Sequence, residues 1–393
     1  MNFSEEFAIE KCRAKALWML IASSPENVSI ILPSGYIFNK SEVDDVYDYY
    51  LFGYSLETTV APILQIIMAL LGIIGSACIL ITITHESYSQ GVTFKNFMVA
   101  LAVSDMMFNV FGIPFTIFSA TSSSYGTQWA ALPYIVLITM GIINVSSLFS
   151  NLNSLCLTLT RYVMLVKPFY WKSRSNTWKQ RFFITSLLLS LTMAVFRLYL
   201  PLQYRVEAVN ETWAGEKLFA FRSSAFYDAP LHRVMGLTCD IVLPLIISIL
   251  MLYFSIQIVA IVKKRKKILP SAGSPSQANK MTVHAVAQQE KTKDSGNINR
   301  LIFCTAAVTI LCEVAYIYLW FLTFFLDEDS LSSDSCVDAH LVQTKLRNYV
   351  VHLISAAITN SIEAFVRMCH FYNYMIFSSV FRSQFMEQIK CKN

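Results

Sequence analysis

Seven ionisable side chains interrupt long apolar stretches of this sequence, and their types and positions mark them as the residues that could do chemistry. They are Arg161, Arg197 and Arg367, and Asp105, Asp240, Glu313 and Glu363. A bilayer makes such groups costly, so each needs a partner. The sequence contains no catalytic constellation, no His-x-x-x-His or Cys-x-x-Cys metal spacing and no glycine-rich phosphate loop. It therefore predicts a protein that is not an enzyme and has neither a metal site nor a cofactor.

The composition around these charges is that of a membrane protein. Of 393 residues, 55% are hydrophobic and 15% are charged, which is more apolar surface than a soluble domain of this size carries. Aromatic residues, at 13%, fit lipid-facing and interfacial positions. The net charge of +5 requires no nucleic-acid partner.

Seven apolar runs are each long enough to cross a bilayer as one helix. We call them span 1 to span 7; they lie at about residues 60–84, 97–118, 132–166, 182–202, 235–262, 301–326 and 349–376. The pattern predicts an all-α fold, a seven-transmembrane helix bundle over residues 60–376. Residues 1–59 are then an extracellular N-terminal segment, residues 263–299 the third cytoplasmic loop, and residues 377–393 a cytoplasmic tail.

The charges of the loops predict the orientation of the bundle. The loops after spans 1, 3 and 5, together with the tail, hold 18 of the 31 lysines and arginines, whereas the opposite face holds 10 of them and 18 of the 26 acids. The N-terminus is therefore expected outside the cell. Four glycosylation sequons fall on the same outer face, at Asn2, Asn27, Asn39 and Asn210.

Two cytoplasmic segments have patterns of their own. Five bases, from Lys263 to Lys267, extend the helix of span 5 and precede a flexible loop rich in Ser, Gly, Pro and Gln. In the tail, apolar residues recur at intervals of four, at Phe377, Phe381, Phe385 and Ile389. This spacing predicts an amphipathic helix on the inner leaflet, with Cys391 beside it as a candidate palmitoylation site.

With these spans and this orientation, the chain resembles the rhodopsin-like G-protein-coupled receptors over about residues 60–391. The residues that carry the resemblance are Thr160-Arg161-Tyr162 and Pro168 at the end of span 3, Leu101–Asp105 and Pro114 in span 2, Trp129, Ser150, Pro244 and Tyr374. The resemblance implies a plasma-membrane receptor that binds an extracellular ligand and activates heterotrimeric G proteins. The residues of G-protein coupling would be Arg161, Tyr162, Tyr374, Lys263 and Lys264. Because Thr160 replaces the family's acidic residue, we expect appreciable ligand-independent signalling.

Several residues typical of the family are absent. Val136 replaces the family's cysteine near span 3, and the second outer loop has no cysteine. The candidate outer disulfide is instead Cys12 to Cys336, with two free thiols, or loss of Cys12 in a cleaved signal peptide of about residues 1–22, as the alternatives. In span 6, residues 310–315 lack the family's Trp and Pro, and in span 7 residues 370–374 keep only its tyrosine.

Asp105, Ser150 and Arg367 form the predicted intramembrane polar core. We predict an ion pair between Asp105 and Arg367 at the site where relatives hold a sodium ion. The alternative partner of Arg367 is Glu363, its i−4 neighbour on the same helix face.

The ligand site is expected at the outer third of the bundle, among Asn144, Arg197, Asp240, Glu313 and Glu363. For Arg197 the alternative is snorkelling to the outer headgroups. The family's amine receptors have an aspartate where Ile143 stands, which argues against a biogenic amine. The acidic outer face favours a basic neuropeptide. The alternatives are a divergent chemosensory receptor of the expanded invertebrate type, with the same fold, and a seven-span transporter or channel.

Overall fold

The computed structural model describes residues 29–31, 37–39, 44–84, 92–121, 131–209, 218–226, 229–268, 303–322 and 339–390. Within these residues, seven helices are long and apolar enough to cross a membrane, which confirms the all-α seven-helix prediction. The crossing segments of spans 1 to 7 are Leu51–Thr84, Phe94–Phe118, Ala131–Val166, Asn176–Leu202, Pro230–Lys264, Phe303–Leu322 and Arg347–Phe377.

Most of the helices extend beyond these segments, because hydropathy detects the apolar part of a helix and not the polar turns that continue it. Span 1 is the helix Ala61–Thr84, which continues the helix Asp44–Ser55 through a π-helical turn at Leu56–Val60. Spans 2, 3, 6 and 7 are the helices Val92–Thr121, Ala131–Val166, Phe303–Leu322 and Ala339–Phe377. Span 4 consists of Asn176–Val195, a 3-10 turn at Phe196–Leu198 and Tyr199–Leu202. Span 5 consists of Pro230–Gly236, a π-helical turn at Leu237–Val242 and Leu243–Ile268.

Two short antiparallel hairpins were not predicted from the sequence. Strands β1 (Ser29–Ile31) and β2 (Ile37–Asn39) pair with Ser29 opposite Asn39. Strands β3 (Tyr204–Val209) and β4 (Leu218–Ser223) follow span 4 and pair with Tyr204 opposite Ser223. The β3–β4 hairpin contacts span 3. We call this end of the bundle the hairpin end, and the opposite end, where span 7 finishes, the tail-helix end.

Apolar side chains hold the bundle together in layers. At the tail-helix end a cluster joins spans 1, 2, 3 and 7: Ile79, Ile83, Phe94, Phe97, Met98, Ala102, Leu157, Tyr374 and Phe381. A second cluster joins spans 3, 4, 5 and 6: Leu148, Leu152, Ala194, Ile247, Met251 and Ala306. A third, nearer the hairpin end, joins spans 4 and 5 through Tyr199, Leu200 and Cys239.

Two glycines let span 1 approach its neighbours closely. A Cβ atom on Gly72 would lie 2.5 Å from the Nδ2 atom of Asn109 in span 2. A Cβ atom on Gly75 would lie 2.7 Å from the Cβ atom of Phe371 in span 7. Both distances are shorter than atoms tolerate, so small residues at these positions set the spacing of spans 1, 2 and 7.

The tail forms the predicted amphipathic helix, at Ser379–Lys390. The Ser378 hydroxyl caps its start by accepting a hydrogen bond from the Phe381 amide at 3.2 Å. Arg382 donates to the last carbonyls of span 7, at 2.8 Å to Met375 and 2.5 Å to Ile376. Phe381 is buried in the first apolar cluster, so part of the apolar face predicted for the leaflet packs on the bundle instead.

Candidate functional site

Span 3 presents polar side chains along one face of its helix. Ser147, Ser150, Asn151 and Ser154 are separated by three, one and three residues, which is the spacing of a single helix face. All four are buried. Ser147, Ser150 and Asn151 meet charged side chains that extend from spans 7, 2 and 6.

Asp105 of span 2 is the centre of the first group. Its Oδ1 atom accepts a hydrogen bond from the Ser150 hydroxyl at 2.7 Å and lies 3.5 Å from the Arg367 Nη1 atom. Its Oδ2 atom lies 2.5 Å from the Nδ1 atom of His370. The predicted polar core of Asp105, Ser150 and Arg367 is therefore assembled, with His370 as an additional member.

Arg367 bridges two carboxylates. Its Nη2 atom lies 3.5 Å from the Glu363 Oε1 atom, so both of the pairings considered for Arg367 are present together. The same atom donates to the Ser147 carbonyl at 3.2 Å and contacts the Ser147 hydroxyl at 3.1 Å. That hydroxyl in turn donates to Glu363. The buried side chain of Arg367 thus connects span 7 to spans 2 and 3.

Glu313 of span 6 meets the same face of span 3. The Asn151 side-chain amide donates to its carboxylate, and both residues are buried. Two residues further along span 6, the Ala315 carbonyl accepts a hydrogen bond from Thr359 of span 7 at 3.4 Å. These contacts attach span 6 to its two neighbours in the interior of the bundle.

A second ion pair lies nearer the hairpin end. The Nε atom of Arg197 is 3.4 Å from the Asp240 Oδ1 atom, and its Nη2 atom donates to the Cys239 carbonyl at 3.4 Å. Tyr199 donates to Asp240, and so does Tyr316, at 3.0 Å. Asp240 lies in the π-helical turn of span 5, where one extra residue per turn shifts the face that each side chain occupies. We call Asp240 with Arg197, Tyr199 and Tyr316 the Asp240 latch, since it ties spans 4, 5 and 6 together.

One interpretation of Arg197 is wrong. The side chain does not snorkel to the headgroups, because only 1% of it is exposed and its guanidinium lies 4.5 Å from the centre of the Tyr316 ring. Its carboxylate partner makes burial tolerable, whereas an unpaired arginine would have to reach water.

Asn144 is not brought to the charged groups by any described contact. Its side chain is half-buried and donates to the Met140 carbonyl of its own helix at 2.9 Å. Five residues of the site were missed in the sequence: Ser147, Asn151, Tyr199, Tyr316 and His370. The signal that could have found the first two is the polar face of span 3. The two tyrosines and His370 stand in aromatic-rich runs and carry no such signal.

At the tail-helix end, the Arg161 guanidinium lies 3.8 Å from the centre of the Phe94 ring. The preceding Thr160 is buried and donates its hydroxyl to the Cys156 carbonyl of its own helix at 2.7 Å. Tyr162 packs against Phe254 of span 5 with ring centres 5.2 Å apart. This contact joins spans 3 and 5 close to Arg161.

The other residues predicted for this end differ in exposure. Lys263 and Lys264, near the end of span 5, are exposed, whereas Tyr374 is buried against Phe381 with ring centres 5.8 Å apart. Several predicted sites lie outside the described residues: Asn2, Asn27, Asn210, Cys12, Cys336 and Cys391. Asn39 is the last residue of β2.

Comparison with known proteins places this arrangement in a family. The chain matches the family described as 7 transmembrane receptor (rhodopsin family) over residues 75–362. No curated protein matches it. The matched region covers more than half of the chain and includes Asp105, Arg161, Asp240 and Glu313. This match and the seven membrane-length helices found among the described residues show that the chain belongs to the rhodopsin family of seven-transmembrane receptors.

Proposed function

We propose that this receptor lies in the plasma membrane with its hairpin end outside the cell, binds a ligand there and activates a heterotrimeric G protein at its tail-helix end. Membership of the rhodopsin family supports a membrane receptor with an external ligand. The observation that carries the proposal further is the placement of the charges. A buried network reaches the hairpin end, and an arginine with exposed lysines stands at the opposite end.

The tail-helix end has a surface suited to a partner in the cytoplasm. On the short helix Pro168–Ser173, which follows span 3, Phe169 is 86% exposed. The neighbouring Lys167 and Lys172 are exposed as well. A large exposed aromatic side chain among basic residues is typical of an interaction surface rather than of bare solvent contact. The excess of bases in the loops of this face supports its cytoplasmic orientation.

The buried polar contacts of span 6 would connect the hairpin end of the bundle with the tail-helix end. Span 6 is held to span 5 by Tyr316 and Asp240, and to span 3 by Glu313 and Asn151. A ligand that competes for either carboxylate favours a bundle in which span 6 has moved relative to span 3. Such a ligand shifts the population towards the state to which it binds more tightly. Movement of spans 5 and 6 would also separate Tyr162 from Phe254 and change the surroundings of Arg161.

Tyr374 takes part in the same change on the tail-helix side. In this structure it is buried in the cluster that also contains Phe94 and Phe381. Its contribution to coupling therefore requires span 7 and the tail helix to rearrange. Arg161 and Tyr374 share this cluster through Phe94, so loosening of either is expected to affect the other.

The ligand proposed is a basic neuropeptide. The outer segments carry 18 acids and 10 bases, and the focused negative potential favours a cationic partner. Buried carboxylates at Asp240 and Glu313 would accept hydrogen bonds from the cationic N–H groups of such a peptide.

A second-messenger screen of the expressed receptor against a neuropeptide library tests this function. A basic peptide is expected to produce a response that Arg161→Ala abolishes and Arg181→Ala leaves intact. Arg181 is a fair control because it is an exposed arginine near the start of span 4, at the same end of the bundle. A response to volatile or small metabolites, with silence to every peptide, would replace the neuropeptide by the chemosensory alternative.

A further inference from the structure

Within the part of the chain that the structure describes, the interior of the bundle holds more carboxylates than cations. Four acids there face two arginines and one histidine: Asp105, Asp240, Glu313 and the largely buried Glu363, against Arg197, Arg367 and His370. Even with the histidine protonated, one carboxylate is left without a cation. Since an unpaired charge is costly away from water, this excess calls for a compensating group.

Glu313 is the carboxylate left over. Arg197 is paired with Asp240, and Arg367 is shared by Asp105 and Glu363. Among the residues that the structure describes, no ion pair includes Glu313, and only 1% of the residue is exposed. Its one hydrogen-bond donor within that part of the chain is the Asn151 amide.

Asn151 adds a second acceptor at the same place. Its Oδ1 atom is buried and accepts no hydrogen bond from any described residue. The amide nitrogen of the same side chain is bonded to Glu313, so this oxygen and the carboxylate lie side by side. Asn151 as a whole is 2% exposed, so the unmatched acceptor points into the bundle and not to solvent. A single group that carries positive charge and several N–H donors would match both of these buried acceptors.

We propose that Glu313 and the Asn151 side-chain oxygen bind a positively charged organic group of the ligand, either a protonated amine or a guanidinium. Ammonium offers three N–H donors and guanidinium five, so either satisfies both acceptors. A hard metal ion fits less well because it takes six or more oxygens, and the described residues contain no cluster of three or more metal-binding side chains. Glu363, which accepts a hydrogen bond from the hydroxyl of Ser147, is less deeply buried than Glu313, with 13% of its side chain exposed.

This inference rests on the proposed function only for the existence of a ligand, and its test does not use signalling. The full-length receptor in lipid nanodiscs is heated with N-acetyl-L-argininamide, whose guanidinium is its only charge, or with N-acetyl-L-citrullinamide, its uncharged counterpart; they are called argininamide and citrullinamide below. A third sample contains sodium chloride at matched ionic strength. At a saturating concentration, argininamide is expected to raise the unfolding temperature by about 2 °C or more beyond either control.

Substitutions identify the site. Glu313→Gln, which keeps the shape and removes the charge, is expected to abolish the extra shift, and Glu313→Asp to retain part of it. Glu207 lies on strand β3 at the hairpin end, in an exposed ion pair with Arg205. Glu207→Gln removes this carboxylate and should leave the temperature shift unchanged. The proposal is overturned if argininamide gives no extra shift, if sodium or citrullinamide gives the same shift, or if Glu313→Gln responds like the wild type. A receptor that binds the cation but activates no G protein would refute the proposed function alone.

Discussion

Removing the charge of Asp240 tests the Asp240 latch. In Asp240→Asn the shape of the side chain is kept, and the new amide carbonyl can still accept from one of the two tyrosine hydroxyls. Arg197, however, loses its carboxylate and retains the Cys239 carbonyl at 3.4 Å and the face of the Tyr316 ring. An arginine of which 1% is exposed then carries a charge that nothing opposite neutralises.

The expected loss of stability follows from the distance between Arg197 and Asp240 and from the burial of both side chains. At 3.4 Å, two unit charges attract by about 5 kcal/mol for an effective dielectric constant of about 20. Breaking a buried pair by removing one partner costs about 3 to 5 kcal/mol. Because neutral donors and acceptors remain around the substituted side chain, we expect a loss near the lower value. For a chain of 393 residues this corresponds to a fall of about 4 °C in the unfolding temperature.

A thiol-reactive fluorophore provides the assay. Cys239 and Cys312 are buried, and Cys78, Cys156 and Cys369 are half-buried, so labelling reports the opening of the bundle. Thermal ramps of the purified full-length receptor would compare wild type and Asp240→Asn in the same lipid. Glu207→Gln serves as the matched control, because its ion pair with Arg205 is exposed and such pairs contribute about 0 to 1 kcal/mol.

A double variant distinguishes the loss of the Arg197–Asp240 ion pair from the cost of burying an unpaired arginine. Adding Arg197→Met to Asp240→Asn removes the uncompensated guanidinium and fills much of its volume with apolar atoms. The double variant should therefore unfold at a higher temperature than Asp240→Asn alone. An Asp240→Asn receptor as stable as Glu207→Gln, or a double variant less stable than the single one, would refute the reasoning.

Three further predictions concern other parts of the bundle. Gly75→Ala should lower the free energy of unfolding by about 1 to 3 kcal/mol, because the added Cβ atom would meet Phe371. In the control Gly112→Ala the Cβ atom meets nothing within 4 Å, so the free energy of unfolding should change by about 1 kcal/mol at most. Equal effects of the two substitutions in thermal ramps would contradict this prediction. Thr160→Asp should reduce ligand-independent second-messenger production, since a carboxylate beside Arg161 stabilises the resting state; unchanged basal production would count against this expectation. Exchanging sodium for potassium at constant ionic strength should leave the unfolding temperature unchanged, because Arg367 already neutralises Asp105 at 3.5 Å; selective stabilisation by sodium would show that the ion still binds.

Much of the polar core follows from residue type and depth in a span. An ionisable residue in an apolar run has few partners within reach, so Asp105 and Arg367 at similar depth could be paired from the sequence. From the sequence, Asp105 and Glu363 are alternative partners of Arg367. A guanidinium has several donors, however, and in the structure Arg367 contacts both carboxylates.

The contacts of the Asp240 latch are harder to predict from the sequence. Its geometry depends on a π-helical turn in span 5 and a 3-10 turn in span 4, which change the direction of the side chains that follow. Periodicity rules assume a regular helix, so they do not place Tyr199 or Tyr316 next to Asp240. The β3–β4 hairpin was missed for a different reason, since strands of six residues are too short to stand out beside the apolar spans.

The central claim is that the tail-helix end activates a G protein. Guanine-nucleotide exchange by purified heterotrimeric G proteins, mixed with the full-length receptor in nanodiscs, measures it directly. The wild-type receptor should accelerate exchange above a receptor-free control even without ligand, and Arg161→Ala should return the rate to that control while Arg181→Ala does not. A wild-type receptor that leaves exchange unchanged with every G-protein class, or an Arg161→Ala receptor as active as the wild type, would contradict the claim.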